Sequence, residues 1–209
     1  MSVNEKATEQ TRARYQRIAP VYDAMEILAE RRYSDWRERL WSLVEGSAVL
    51  EVGVGTGKNL PFYPEDVQVT AIDLAPRMLQ RARQRARELE VDVDLRLDDA
   101  QDLDFADDTF DDIVSTFVFC SVPDPVLGLQ ELARVAKPGG RLLLLEHVRS
   151  DIAVLGTLMD AFDPLVQLIG PHINRRTVQN VRGSGWQVER VEDLGAADIF
   201  KLIVARKEG

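Results

Sequence analysis

The sequence predicts an α/β fold in which a parallel sheet is covered on both faces by helices. Short apolar runs alternate with helical patterns from residue 47 onward, and strands separated by helices pair in parallel. Three glycines then crowd the end of the first apolar run, and an acid, Asp73, ends the second. Both lie where such sheets place their ligands, beyond the carboxyl ends of the strands.

Each element has its own signal. Residues 5–45 read as helical, broken near Pro20. "SAVLEV" and "VQVTAID" are the first two strands. "PRMLQRARQRARELE" is a helix with Pro76 at its start, where the missing N–H costs nothing. "VDVDLRL" alternates as a half-exposed strand does, and "FDDIVSTFVF" is a buried strand. "DPVLGLQELARVA" is a helix stopped by Lys137-Pro138-Gly139-Gly140, and "RLLLLEHV" is another buried strand. Residues 152–169 are helical with an interruption expected at Pro164. "RRTVQNVRGSG" is a short helix, and "WQVERVEDL" and "DIFKLIVARK" are closing strands.

Composition narrows the function. The chain has 209 residues, 45% hydrophobic and 29% charged, which suits one domain with a sizeable core. Its net charge of -9 argues against a nucleic-acid partner, because such binders carry a basic footprint. The single cysteine, Cys120, permits no internal disulfide and no multi-cysteine zinc cluster. Two histidines, His147 and His172, give no recognisable metal-ligand spacing, so no metal is expected. "MSVNEKATEQ" is polar, and no run of 18 uncharged apolar residues exists, which predicts a soluble cytoplasmic protein.

The stretch "VLEVGVGTGKNL" carries Gly53, Gly55 and Gly57 in five positions. Such glycines suit a backbone that bends sharply or lets a ligand approach closely. A phosphate-binding P-loop needs four residues between its glycines and then Lys-Ser/Thr, and here Asn59 follows Lys58. The dinucleotide fingerprint is G-x-G-x-x-G, whereas this loop reads G-x-G-x-G. Asp73 follows at the tip of the next strand, where a carboxylate can accept from both hydroxyls of an adenosine ribose. Capping the next helix is the alternative role, and the two are compatible.

The motifs "LEVGVGTG", "AIDLAPRMLQRAR", "LDDAQDLDFADDTFDDIVSTFVF" and "ELARVAKPGGRLLLLEHV", in that order over residues 45–150, resemble a class I S-adenosylmethionine-dependent methyltransferase. The resemblance implies a Rossmann-like, seven-stranded, mostly parallel sheet with helices on both faces, the last pair of strands reversing direction. Residues 1–45 would then be an amino-terminal helical cap and 46–209 the methyltransferase domain. It implies S-adenosylmethionine as cofactor and S-adenosylhomocysteine as product. Glu51 and the loop from Gly53 to Gly57 would border the methionine part, and Asp73 would hold the ribose. Leu74 and Met78 would flank the adenine. Asp99, with Ala100, would meet its exocyclic amine, beside Asp98, where relatives often carry glycine. Thr116 and Phe117 would offer backbone. Ten aspartates lie between residues 92 and 112, and most read as solvated loop and strand-edge charges, Asp99 alone taking a ligand role. The arginines 77, 81, 83, 85 and 87 read as an exposed helix face paired with nearby acids.

S-adenosylmethionine carries an activated methyl, so the protein must align an acceptor, and an amine acceptor must first lose a proton. His147 and Tyr22 are the candidate bases; His147 could equally be a structural histidine. "RYQRIAPVYDAM" resembles the entry segment of quinone and phospholipid methyltransferases, where a tyrosine, here Tyr15 or Tyr22, lies over the cofactor. The insert from Asp151 to Asn174 is apolar and reads as a core helix in part and as a lid touching a membrane surface in part. "EHVRS" with "DPLVQLIGPHINRRT" resembles the phosphatidylethanolamine N-methyltransferase subgroup, and "FCSVPD" the methyltransferase-like 7 thiol methyltransferases. In the phospholipid reading, Arg175 or Arg176, helped by His172, would meet the lipid phosphate. The resemblance thus points to a small-molecule or lipid acceptor, peripheral contact at the inner membrane surface, and a monomer or weak homodimer. Phosphatidylethanolamine leads as acceptor; a quinone ring or a small thiol is the alternative, and a cofactor-binding protein without transfer activity comes last.

Overall fold

The computed structural model describes residues 3–167, 171–195 and 197–208, with the side chains of 24–29 and 31 left aside. Residues 168–170 of the expected insert therefore lie outside the described residues. The elements run α1 (Glu5–Ile18), α2 (Tyr22–Trp41), β1 (Ala48–Val52), β2 (Gln68–Asp73), α3 (Pro76–Leu89), β3 (Asp94–Leu97), β4 (Phe110–Thr116), α4 (Pro125–Val135), β5 (Ala136–His147), α5 (Ala153–Val166), α6 (Thr177–Arg182), β6 (Trp186–Leu194) and β7 (Phe200–Lys207). A single 3-10 turn, Leu60–Phe62, follows the glycine loop.

Seven strands form one sheet in the order β3-β2-β1-β4-β5-β7-β6. Strands β1 to β5 pair in parallel, and β7 is antiparallel to both β5 and β6. The expected reversal of the last pair is thus a reversal of β7 alone, inserted between β5 and β6. The hairpin requires it: β6 and β7 are joined by a short turn, which only antiparallel neighbours allow.

Strand alternation builds a core on each face. Ile113, Leu142 and Leu144 pack on one side with Leu129 and Leu132 of α4 and Val181 of α6. Val114, Leu143 and Leu145 pack on the other with Leu79 and Ala82 of α3 and with Leu40 and Trp41 of α2. The carboxyl half of α2 is therefore a core helix, while its amino end lies over the carboxyl edge of the sheet. The break between α1 and α2 falls where the sequence puts it, around Pro20. Pro164 does not interrupt α5, which runs on to Val166. It sits in the helix's last turn, so it leaves only the Asp160 carbonyl without its helical donor and little helix follows for it to disrupt.

One other reading is corrected. β5 begins at Ala136, so the Lys137-Gly140 stop signal lies inside a strand. The register shift between Phe110 and Asp112 and the positive φ of Gly139 accommodate the turn as a bulge. Among the ten aspartates, most of them expected at solvated edges, Asp112 is an exception and Asp111 is partly covered. Asp112 is buried and takes a two-pronged bond from Arg141, with the Glu45 and Gly46 N–H groups completing its shell. Asp111 accepts from Ala48 N–H and Lys137. Both carboxyls are held below the usual range by these partners, against the opposing effect of burial, which for Asp112 is the largest single influence.

Candidate active site

A cleft opens at the carboxyl ends of β1, β2 and β4, enclosing about 720 Å³ of empty space including its mouth. Its floor is the glycine loop. Gly53 and Val54 donate N–H to the Ile72 carbonyl at 2.8 and 2.9 Å, which folds the loop back onto β2. All three glycines hold positive φ, of 72°, 57° and 82°, a region that other residues seldom adopt. Their surroundings differ. A Cβ on Gly53 would lie 2.3 Å from Val118, and one on Gly57 would lie 2.6 Å from Leu60 and 3.2 Å from the Ala82 backbone. A Cβ on Gly55 would meet nothing nearer than the Gly53 carbonyl at 4.0 Å, because it points into open space. Gly53 and Gly55 line the cleft and Gly57 does not: it serves close packing of loop against helix.

Asp73 is set at the cleft wall by two backbone bonds. Gly55 N–H and Ala75 N–H each donate to one carboxylate oxygen at 2.8 Å. Ala75 is the residue before α3, so the acid does tie down the helix entry, though α3 has no side-chain cap. Each oxygen keeps acceptor capacity. Burial pushes the Asp73 carboxyl up to about 6, the two N–H donors opposing the rise.

The residues expected to flank the adenine gather beside it. Leu74, Met78, Asp98, Asp99 and Ala100 all line the cleft. Asp98 is turned to its own loop, accepting from Asp99 and Asp104 N–H groups. Asp99 accepts from Gln101 and, at 3.4 Å, from the Thr8 hydroxyl of α1. Thr116 and Phe117 form the far wall with Val118. Phe117 has a φ of 58°, an uncommon angle for a bulky residue. It ends β4 and turns the chain along the cleft. Buried Glu146 holds that turn, accepting from Val118 and Phe119 N–H groups at 3.0 and 3.1 Å.

Glu51 is buried beneath the loop and does not reach the cleft. Its carboxylate takes bonds from Asn59 at 2.6 Å and from the Tyr63 hydroxyl. Asn59 also binds Thr116 and Arg37, so Glu51 braces loop, β4 and α2 together. Burial pushes its carboxyl up to about 7.

The roof comes from the amino-terminal helices. Thr11 and Tyr15 of α1 and Tyr22 of α2 line the cleft. Tyr15 bonds Ser121 at 2.5 Å, and burial raises its phenol well above its ordinary value. His147 does not line the cleft: its ring sits edge-on against Phe200 at 5.3 Å, and burial lowers its pKa. Of the two base candidates, Tyr22 is the one at the cleft wall. His172 bonds Asp163 of α5 at 3.0 Å, and Arg175 and Arg176 line a different cavity. Reasoning from sequence missed Thr11, Ser121, Val122 and Pro123. "FCSVPD" was the available signal for the last three.

Among the described residues, the cleft wall carries three carboxylates, from Asp73, Asp98 and Asp99, and no lysine or arginine. That charge repels phosphates and suits a ligand with hydroxyl and amine donors and a cationic centre. S-adenosylmethionine, the cofactor the sequence resemblance implies, has such donors and such a centre, and open Gly55 and the free acceptor positions of Asp73 are compatible with it.

Comparison with known proteins agrees. Residues 50–144 match the family model described as a methyltransferase domain. A ubiquinone/menaquinone biosynthesis C-methyltransferase of Bdellovibrio bacteriovorus is 31% identical over 169 residues, covering 78% of this chain and 72% of that protein. The chain belongs to the S-adenosylmethionine-dependent methyltransferases. A phosphatidylethanolamine N-methyltransferase of Cereibacter sphaeroides is 42% identical over 129 residues, 61% of this chain. This methyltransferase chain matches 64% of that relative's length, just under two thirds. An S-adenosylmethionine-dependent methyltransferase from Thermotoga maritima has the same fold, with a TM-score of 0.73 over 95% of this chain and 100% of that one, at 21% identity. Among the described residues, no helix is long and apolar enough to cross a membrane, and no group of side chains could hold a metal ion.

Proposed function

We propose that this chain transfers a methyl group from S-adenosylmethionine to an amphipathic acceptor, with the amine of phosphatidylethanolamine leading. The observation that carries the cofactor half is the acidic cleft, floored by Gly55 and walled by Asp73, with no basic residue on it among the described residues. When bound, S-adenosylmethionine supplies a methyl already activated by its sulfonium. The chain's own contribution is placement: α1 and α2 roof the cleft and the turn at Phe117 forms its far wall.

The acceptor half is supported by the surface beside the cleft. On α5, Val154, Leu158, Phe162 and Leu165 recur at intervals of a helical turn and are 73%, 49%, 58% and 68% exposed. Such a stripe suits contact with a lipid surface. The helix is tied to the cleft's roof, for Arg14 of α1 donates to the Gln167 carbonyl at 3.1 Å. The relative named as a phosphatidylethanolamine N-methyltransferase points the same way. A second reading, methylation of a quinone ring, is favoured by the relative named as a ubiquinone/menaquinone biosynthesis C-methyltransferase, whose match spans more of the chain. A quinone would meet the same apolar stripe.

Incubation with methyl-labelled S-adenosylmethionine and separate phospholipid, quinone and thiol fractions decides between them. Label in the ethanolamine headgroup is the expected result. Label in the quinone alone favours the second reading, and label in no fraction overturns the transfer activity.

A further inference from the structure

We propose that the cavity between β5, α6 and β7 is a binding site for a phosphate-bearing group. In a protein of net charge -9, five basic side chains surround this one space, from Arg149, Arg175, Arg176, Arg182 and Lys201, with Asp151 the only acid on its wall among the described residues. It encloses about 760 Å³ of empty space including its mouth.

The cations differ in how far they are already engaged. Arg149 is taken up by Asp160 at 2.8 Å and by the Ser150 carbonyl. Lys201 is paired with Asp193 at 2.5 Å. The side chains of Arg176 and Arg182 are exposed and form no ion pair or hydrogen bond among the described residues, although Asp160 feels the charge of Arg176, so their guanidinium forks are available to an oxyanion.

A second, independent observation comes from Thr177. It lines the cavity, it is 1% exposed, and its Oγ1 has no hydrogen-bond partner. A buried hydroxyl left unbonded is costly, and because this one is closed off from solvent a ligand oxygen reaches it only where the side chains around it give way. Arg175 adds a buried Nε that likewise lacks a partner. Two unpaired guanidinium groups at the surface of the cavity, with Thr177 Oγ1 and Arg175 Nε buried behind them, suit an oxyanion rather than a neutral ligand.

Position relates this site to the cleft. Arg175 Nη2 donates to the Val122 carbonyl at 2.9 Å, and Val122 lines the cleft. One arginine therefore forms the wall between the acidic cleft and the basic cavity. A basic cavity beside an acidic cleft suits an acceptor that carries both a phosphate and an amine. This deepens the proposed acceptor and rests on that reading for the identity of the ligand. The phosphate itself could come from a lipid headgroup or from a soluble phosphoester.

The test uses the whole chain. Inorganic phosphate and O-phosphoethanolamine are titrated into the wild type, the double variant Arg176→Ala/Arg182→Ala and Thr177→Val, with S-adenosylmethionine titrated in parallel. Both phosphates are expected to bind the wild type at millimolar concentration, at least about tenfold more weakly to the double variant and several-fold more weakly to Thr177→Val. S-adenosylmethionine affinity should be the same in all three. Flotation then distinguishes the source. Vesicles of phosphatidylcholine that carry the wild type, where neutral galactolipid vesicles do not, assign the site to a lipid headgroup; equal flotation with phosphate binding retained assigns it to a soluble phosphoester. Absence of binding to inorganic phosphate, phosphoethanolamine and phosphatidylcholine vesicles overturns the site, as does a double variant that binds like the wild type. Loss of S-adenosylmethionine binding with phosphate binding intact would fall on the proposed cofactor instead.

Discussion

Gly55 and Gly57 share a motif and a backbone conformation yet serve different ends. A methyl group at Gly55 enters open space in the cleft, while one at Gly57 collides with Leu60 and crowds Ala82. Gly57→Ala should therefore cost more stability than Gly55→Ala, since both bear the strain of positive φ, about 1–2 kcal/mol, and only Gly57 adds a clash. Gly55→Ala should weaken S-adenosylmethionine binding more than its lowered Tm explains. Thermal melts alongside titration calorimetry would separate the two, and equal losses of affinity and Tm in both variants would contradict the assignment. Asp73 adds a pH dependence. With its carboxyl near 6, it is ionised and accepts from hydroxyls above that pH, and it is protonated below. Cofactor affinity should fall as pH drops through about 6, and the Asp73→Asn variant should lack that part of the profile. A wild-type affinity that is flat between pH 5 and pH 8 would count against Asp73 as the hydroxyl acceptor.

At the scale of elements, the cofactor half of the site was legible because its residues are local in sequence. Strand β1, the glycine loop and the tip of β2 lie within residues 48–73, and the alternation that marks strands also fixes which ends carry ligands. Gln101, Ser121 and Thr8 were not legible, because they meet only when α1 folds across the sheet: Gln101 bonds Thr8, 93 residues away, and Ser121 bonds Tyr15. His147 misled for the opposite reason. It sits at the right edge of the right strand, but its neighbour across β7 is Phe200, which takes up its ring. The helices give two predictions. Removal of residues 1–21 deletes Thr11 and Tyr15 from the cleft wall, so cofactor affinity should fall together with transfer. On α5, Leu158→Glu with Phe162→Glu should abolish flotation with phospholipid vesicles and leave Tm and cofactor affinity unchanged, because both side chains are exposed. Vesicle binding that survives the double change would remove α5 from the lipid-facing surface.

For the whole molecule, buried acids set how stability responds to pH. Glu51 and Glu146 are both pushed up to about 7 by burial, from an ordinary 4.5. Between those values the folded chain holds protons that the unfolded chain has released. Stability should therefore fall as pH rises from about 4.5 to about 7. Asp112 and Asp23, held low by their partners, act in the other direction and only below about 3.8. Glu146→Gln keeps an oxygen for Val118 and Phe119 and should flatten the fall, as melts at a series of pH values would show. The charge layout is equally global, with an acidic cleft and a basic cavity meeting at Arg175 in a chain of net charge -9.

The central claim is that the acidic cleft holds S-adenosylmethionine through Asp73. Titration calorimetry of S-adenosylmethionine into the wild type and into Asp73→Ala, with matched folding by circular dichroism, tests it most directly. Two charge-assisted hydrogen bonds are worth about 1.5–3 kcal/mol each, so the variant should bind at least about tenfold more weakly. Equal affinity in the two proteins, or a wild type that takes up no S-adenosylmethionine, would contradict it.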